Sequence, residues 1–417
     1  MRKSESQFPP NFLWGASTSS HQVEGGNHNQ WSVWELANAK SLARSAHSRL
    51  EWLPNWPEIK QHAEDPNNYI SGRAVDHYRR YKEDFTIARS LNLNSFRFGI
   101  EWARIEPKEG RWDNSEIEHY RKYIKELRKH GLEPILNIWH WTNPVWFEEK
   151  GAFKKRANLK YFDRYVQKIS SEFGSDLTYI ITINEPNVYM SNSYGMGWWP
   201  PQEKNWISAL KVYFNLVSAH KRSYRILKHD NKHLMVGTAP QLSNIQPKRA
   251  QNIIDKMSVR LMEYFWNWWF LNRIRRCQDF VGLNYYFSDY YRNAKMDNPE
   301  TPKNDLGWYM EPEGLHPLLK RVWARYRKPI IITESGVADT QDQYRKWWIE
   351  QSVIAMERAL SEGVQVVGYL HWSLLDNFEW AYGWWPKFGL VSVDQKTMKR
   401  EIRPSAKYLA KIIMHLS

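Results

Sequence analysis

Two glutamates in the sequence stand where catalysis needs them. Glu185 closes the run IITINEP at 180–186, and Glu334 closes PIIITES at 329–335. In each, a β-branched apolar stretch stops at a carboxylate beside a polar, turn-prone residue. Short apolar runs of this kind read as strands of a parallel sheet buried on both faces. A carboxylate at the C-terminal tip of such a strand lies where α/β folds, barrels above all, carry their chemistry. Two of them suggest a pair acting on one substrate. Other polar or aromatic residues fall at similar strand ends: Gln22, Arg97, His140, Asn184, Asn284, Tyr286, Trp372, Glu379 and Trp380. Amides, carboxyls and indoles are what a neutral polyhydroxy ligand requires, because the polar groups bond hydroxyls while the indoles cover the C–H faces. His21 and His371 lie nearby and read as structural. No His/Cys set has structural-metal spacing, and no GxSxG elbow is present.

Eight apolar runs supply the strand ends: 12–17, 95–100, 133–139, 178–184, 234–238, 280–285, 329–333 and 366–371. Amphipathic stretches lie between them. Ile117, Tyr120, Ile124 and Leu127 have helical spacing, with Asn114 available as N-cap and Gly131 as C-cap. Leu159 to Phe173, before Gly174, and Ile349 to Leu360, before Gly363, repeat the pattern. Eight strands alternating with helices argue for a (β/α)8 barrel with elaborated βα loops at its C-terminal face. The alternative is a doubly wound sheet, which would usually bring a Gly-rich phosphate loop after the first strand. The closest match, VEGGN at 23–27, lacks the spacing. No Pro/Gly/Ser-rich linker divides the 417 residues, so a single catalytic domain over 1–417 is expected. The polar stretch near 38–68 reads as a long loop insertion at the site face. Residues 241–276 give a weaker pattern, with a helix of large aromatic face over 263–276.

Composition narrows the function further. Lys and Arg number 59 against 45 Asp and Glu, a net charge of +14. The bases are spread along the expected helices and no nucleic-acid-binding module appears, so no nucleic-acid partner is expected. The single cysteine, Cys277, rules out an internal disulfide framework and suits a reducing compartment. The N-terminus has two basic residues without an apolar region behind them, and no run is long enough to span a membrane. A cytoplasmic protein with no membrane partner is the resulting expectation. The 24 tryptophans are mostly packing residues, but Trp139, Trp141, Trp372 and Trp380 sit beside polar residues at strand ends and favour a lined pocket.

Seven segments, in order, resemble glycoside hydrolase family 1, the β-glucosidase and β-glycosidase family. They are FPPNFLWGASTSSHQVEG at 8–25, SFRFGIEWARIEP at 95–107, HW at 140–141, TINEPN at 182–187, GLNYY at 282–286, ITESG at 332–336, and HWSLLDNFEWAYG with FGLVSVD over 371–394. The resemblance implies a retaining exo-β-glycosidase that releases terminal β-glucosyl residues, and in the same pocket galactosyl or fucosyl residues. Glu334 would be the nucleophile and Glu185 the general acid, then base. Arg97 and Tyr286 would hold Glu334, with Asn284 in support. Asn184 would bind the 2-hydroxyl, Gln22, His140, Glu379 and Trp380 the outer hydroxyls, and Trp372 would stack beneath the ring. Its partners would be small-molecule β-glycosides or short oligosaccharides, with no metal or organic cofactor. Members that cleave 6-phosphoglycosides carry a small residue where Glu379 stands, and a carboxylate there would repel a phosphate dianion, so unphosphorylated substrates are expected. A transglycosylase using the same intermediate is one alternative, and a non-catalytic sugar-binding barrel another. The departures are Ser335 where Asn is more usual, NPVWF at 143–147, the 38–68 stretch and a short segment between strands five and six. All but the first surround the leaving-group side.

Overall fold

The computed structural model describes residues 7–416. The expectation drawn from Arg2 and Lys3 at the N-terminus lies outside the described residues.

Eight parallel strands form one sheet: β1 (Leu13–Ser17), β2 (Ser95–Gly99), β3 (Glu133–Trp139), β4 (Tyr179–Asn184), β5 (Met235–Ala239), β6 (Val281–Tyr285), β7 (Ile330–Ser335) and β8 (Val366–Trp372). Their spatial order is β5-β4-β3-β2-β1-β8-β7-β6. The two ends meet, with Asp279 N donating to Val236 O at 2.7 Å, Asn284 N to Pro240 O at 3.0 Å and Leu242 N to Asn284 O at 3.0 Å. The sheet therefore closes on itself, and helices cover its outside, as the alternating pattern predicts. Nearly every strand residue is buried, which is why the strands read as unbroken apolar runs. Leu13, Ile135, Ile181, Phe280, Ile331 and Leu370 form a small cluster separate from the main core and drawn from all around the barrel. Such a cluster fits an interior layer, leaving the wider mouth above it for polar groups.

The helices that brace the mouth follow local rules, with two differences from expectation. The helix Asn114–Lys129 is capped by Asp113, whose side chain accepts from Ser115 N and Glu116 N, not by Asn114. Asp at this position sits one residue outside the helix and satisfies two of the free amides of the first turn. Gly131 follows with φ +67°, the left-handed turn expected of a helix end.

The second difference is larger. The stretch near 38–68, expected as a loop, is mostly helical, with helices Gln30–Arg44, Ala46–Leu50 and Trp56–Ala63 and a 3₁₀ turn Pro66–Tyr69. Asn29 and Ser32 start the first with a reciprocal side-chain-to-backbone capping box. The insertion still lies between β1 and β2. Residues 253–274 are helical throughout, as the aromatic pattern over 263–276 suggested, with a π-helical stretch at Tyr264–Trp268. Among the described residues no helix is long and apolar enough to cross a membrane.

Candidate active site

The strands that carry the two glutamates lose regular register just before them. β4 slips against β5 between Ile181 and Asn184. β7 slips against β6 between Ile332 and Glu334, and against β8 between Ile332 and Ser335. Irregularities of this kind at a barrel rim re-aim side chains. Glu185 is also forced into the left-handed region, φ 38° and ψ 62°, with Pro186 starting a short helix behind it. Trp141 and Trp380 share this uncommon backbone, with φ 71° and 50°. Such conformations persist where surrounding structure dictates them, and functional sites are where they gather.

The glutamates open into one pocket, Glu185 with 5 % and Glu334 with 3 % of its surface exposed. A chain of hydrogen bonds joins them. Asn284 Nδ2 donates to Glu185 Oε1 at 2.8 Å and to Asn184 Oδ1 at 3.2 Å. Arg97 Nη2 donates to the same Asn184 oxygen at 2.6 Å, and Arg97 Nη1 ion-pairs with Glu334 Oε1. Tyr286 OH donates to Glu334 Oε2 at 2.5 Å. Thr333 Oγ1 donates to Asn284 Oδ1 at 2.7 Å and fixes which way that amide faces.

The environments of the two carboxyls are unlike. Glu334 holds a fully buried guanidinium and a phenol. Glu185 has only a neutral amide. Burial pushes the Glu185 pKa well above the usual carboxylate range, the negative charge of Glu334 pushes it the same way, and the Asn284 hydrogen bond and Arg97 oppose them. One carboxyl that keeps its proton beside another paired with Arg is the arrangement that acid-assisted displacement needs.

The same network fixes His140. Asn184 Oδ1 takes two donors, so its Nδ2 faces His140 Nε2 at 3.0 Å and that nitrogen accepts. Burial, then Arg97 and His21, hold His140 well below its ordinary pKa, so the ring is neutral. Its Nδ1 then carries the proton and has no partner among the described residues. Gln22 is held by Ser19 Oγ at 2.7 Å and donates to Asn377 Oδ1 at 2.9 Å, Phe378 O at 2.8 Å and Glu379 Oε2 at 3.4 Å. Trp380 packs against His21 (ring centroids 5.5 Å apart), Trp31 (4.7 Å), Trp141 (4.9 Å) and His140 (6.0 Å). Trp372 faces His140 across 5.9 Å and belongs to a cluster with Tyr286, Trp385 and Phe388.

All the expected site residues are therefore joined, directly or through one another, by hydrogen bonds and ring contacts at the C-terminal ends of the strands. One expectation about them changes. Glu379 sits deep with part of its surface open to the pocket, and burial, then Glu334, push its pKa up to about 8. At neutral pH it is therefore protonated, and it does not stand there as a fixed negative charge. His21 and His371 are structural, as expected. His21 lies between Glu35 (2.7 Å) and Asn29 (3.1 Å), and His371 contacts Tyr369. Thr333, Asn377 and Trp199 also contribute and were not singled out. Thr333 and Asn377 had a signal, as polar residues inside the ITES and LLDNFEW runs. Trp199, which packs on Trp141 at 4.6 Å, had none.

A family model described as glycosyl hydrolase family 1 matches residues 4–278 and 271–416. Beta-glucosidase A of Thermotoga maritima is 30 % identical over 456 residues, covering 98 % of this chain and 98 % of that protein. A beta-galactosidase of Sulfolobus acidocaldarius is 26 % identical, covering 96 % and 93 %. Among solved structures, a beta-glycosidase from Pyrococcus horikoshii matches with a TM-score of 0.86 and 30 % identity, covering 99 % of this chain and 96 % of that one. Beta-glucosidase from Thermotoga maritima in complex with glucoimidazole matches with a TM-score of 0.86 and 28 % identity, covering 98 % and 99 %.

Proposed function

The chain belongs to glycosyl hydrolase family 1 and is a β-glycosidase, and from that premise we propose that it hydrolyses terminal non-reducing β-D-glucosyl residues with retention. The observation that carries the assignment of roles is the unlike setting of Glu185 and Glu334 at two ends of one hydrogen-bond chain.

In the first step a Glu334 oxygen attacks the anomeric carbon as the glycosidic bond breaks, and Glu185 gives its proton to the leaving oxygen. The sugar becomes an ester of Glu334. That ester is neutral, so the charge that helped raise the Glu185 pKa is gone. With that charge gone the pKa of Glu185 falls, so Glu185 stays ionised and serves as the base that takes a proton from water. Water attacks the anomeric carbon from the side the aglycone left, and Glu334 departs as a carboxylate. Two displacements at one carbon restore the starting configuration.

Asn184 Nδ2 has a second hydrogen to offer the 2-hydroxyl, a contact that strengthens as charge builds on the ring. The free Nδ1–H of His140 suits an outer hydroxyl, as do Gln22 and protonated Glu379, while Trp372 and Trp380 enclose the apolar faces. Selection against a 6-phosphate rests on what this wall lacks. Among the described residues no Lys or Arg hydrogen-bonds to Gln22, Asn377, Glu379 or Trp380. A phosphate dianion would therefore find no cation bonded to this wall to neutralise it. Transfer to a sugar acceptor in place of water uses the same intermediate and differs only in what enters second. The single free cysteine, Cys277, accords with a cytoplasmic setting.

The test is hydrolysis of an aryl β-glucoside by the wild type, Glu334→Gly and Glu185→Ala, with product stereochemistry followed by NMR. Glu334→Gly is expected to lose about 10⁴-fold or more. Near-wild-type activity in that variant would remove Glu334 from the role, and a first-formed α-anomer would exclude retention. A panel of glucoside, galactoside, mannoside and 6-phosphoglucoside tests the sugar assignment, and preference for the phosphorylated member would overturn it.

A further inference from the structure

The outer wall of the barrel carries an apolar face that the reaction does not use. On the helix Trp206–Asp230, Trp206, Leu210 and Phe214 stand four residues apart. On the helical stretch Ile253–Ile274, Met257, Leu261 and Phe265 do the same. Side chains at that spacing form one stripe along a helix. These six are 39–63 % exposed. The stripes are contiguous, because Trp269 lies 5.4 Å from both Phe214 and Phe265. A continuous apolar patch of this extent on a protein surface marks a contact site.

The patch reaches the mouth of the pocket. Gly195 packs under the Trp206 ring, close enough that a Cβ there would lie 2.7 Å from it. Exposed Trp198 follows, and its neighbour Trp199 is part of the aromatic wall around Trp141 and Trp380.

Charge indicates what covers the patch. The same two helical stretches carry Lys211, Arg225, Lys256 and Arg260, and Arg275 and Arg276 follow the second directly, all six exposed. Among the described residues, none of these six side chains makes an ion pair. The acids of these stretches are already engaged, Asp230 with His229 and Gln167, Asp255 with Arg249, and Glu263 with Arg321. Both helices follow neighbouring barrel strands and run the same way. Their apolar halves therefore lie together toward the mouth, with Arg225, Arg275 and Arg276 beyond them. A second copy docking face to face would bring the same set of unpaired bases to the contact with no free acid to meet them. An anionic surface would neutralise them while its apolar interior receives the indoles and aliphatic chains.

We propose that this two-helix face docks the enzyme on an anionic lipid surface, lying on it without crossing it. This departs from the expectation of no membrane partner, which rested on the lack of a run long enough to span a bilayer. Docked so, the molecule holds its pocket mouth next to the lipid headgroups.

The test is flotation with vesicles of phosphatidylcholine alone and of phosphatidylcholine with about one third phosphatidylglycerol. The wild type is expected to float with the anionic vesicles, to partition at least about tenfold less to the neutral ones, and to be released at about 0.5 M salt. The doubly substituted Phe214→Ser, Leu261→Ser variant is expected to lose at least about tenfold in partition, and Lys211→Glu, Arg260→Glu a similar factor at low salt. Both are expected to keep wild-type kcat/KM on a soluble aryl β-glucoside and wild-type thermal unfolding. No flotation with anionic vesicles, or equal partition of wild type and both variants, overturns the proposal. So does a wild-type dimer in sedimentation that Phe214→Ser, Leu261→Ser dissolves while no vesicle binds, since the face would then belong to a second copy.

Discussion

Replacing Asn284 by Ala separates the acid role of Glu185 from simple loss of structure. The side chain removed donates to Glu185 Oε1 at 2.8 Å and to Asn184 Oδ1 at 3.2 Å, and accepts from Thr333 Oγ1 at 2.7 Å. Its donor favours the charged form of Glu185 and so opposes burial and Glu334. Without it, Glu185 holds its proton to higher pH, and the alkaline limb of kcat/KM moves upward, since that limb reports the free enzyme's acid. The carboxyl also loses its aim. A hydrogen bond to a charged group contributes about 1.5–3 kcal/mol, and about 1.4 kcal/mol is tenfold in rate. An alkyl β-glucoside, whose leaving oxygen needs a full proton, is therefore expected to lose about 10- to 100-fold in kcat/KM. A dinitrophenyl β-glucoside, whose leaving group departs as a stable anion, is expected to lose less than about threefold in the same step. Thermal unfolding gives the structural share, about 1–3 kcal/mol for leaving Thr333 Oγ1 buried without its acceptor. Equal losses on the two substrates, or an alkaline limb that moves down, would refute the reasoning.

Three further outcomes are expected. Arg97→Lys keeps a charge but loses the fork that reaches both Glu334 and Asn184. It should lower unfolding stability by about 3–5 kcal/mol and kcat by about 10³-fold or more, and unchanged unfolding would count against the pairing. Burial pushes the Glu379 pKa up to about 8 from its ordinary 4.5, so between those values the folded state holds a proton that the unfolded chain has released. Stability should therefore fall as pH rises through that window, by up to about 1.4 kcal/mol per pH unit from this group, and Glu379→Gln should flatten the slope in chemical unfolding between about pH 5 and 8. An unchanged slope would contradict the assignment. Gly336→Ala would bring a Cβ to within 1.9 Å of the Trp372 carbonyl oxygen, a backbone atom that cannot swing aside. It should lower stability by about 3 kcal/mol and raise KM through displaced Trp372, as unfolding and steady-state kinetics would show.

The barrel was legible because a strand buried on both faces has little choice but apolar β-branched residues, and the eight runs end where the chain turns polar. Asn184 was legible for the same reason, as a polar residue where the pattern stops, whereas Gln22 and Glu379 lie past the ends of β1 and β8 and were legible through the family resemblance. The stretch near 38–68 was not. Its first helix buries Gln30, Trp31, Trp34, Glu35, Ala39 and Ala43, of which only the two alanines fall within the stretch, and it begins at the Asn29–Ser32 capping box. The link from Asn284 to both glutamates was hidden because it depends on register slips in β4 and β7, which spacing alone does not reveal. The protonated state of Glu379 was hidden because burial sets it, and burial belongs to the folded molecule.

The chain between the glutamates shows why its middle members are amides. Glu185 needs a high pKa to act as acid and a lower one to act as base, and the charge on Glu334 supplies that change as it appears and disappears. A second cation next to Glu185 would hold its pKa down throughout the cycle and remove the acid step. Glu334, in contrast, needs a cation when it leaves the sugar as a carboxylate. Arg97 therefore reaches Glu334 directly and Glu185 only through Asn184 and Asn284. The two amides transmit position without transmitting charge. One rigid frame thus aims both carboxyls while leaving their proton affinities free to diverge, which an Arg or Lys at 184 or 284 would not allow.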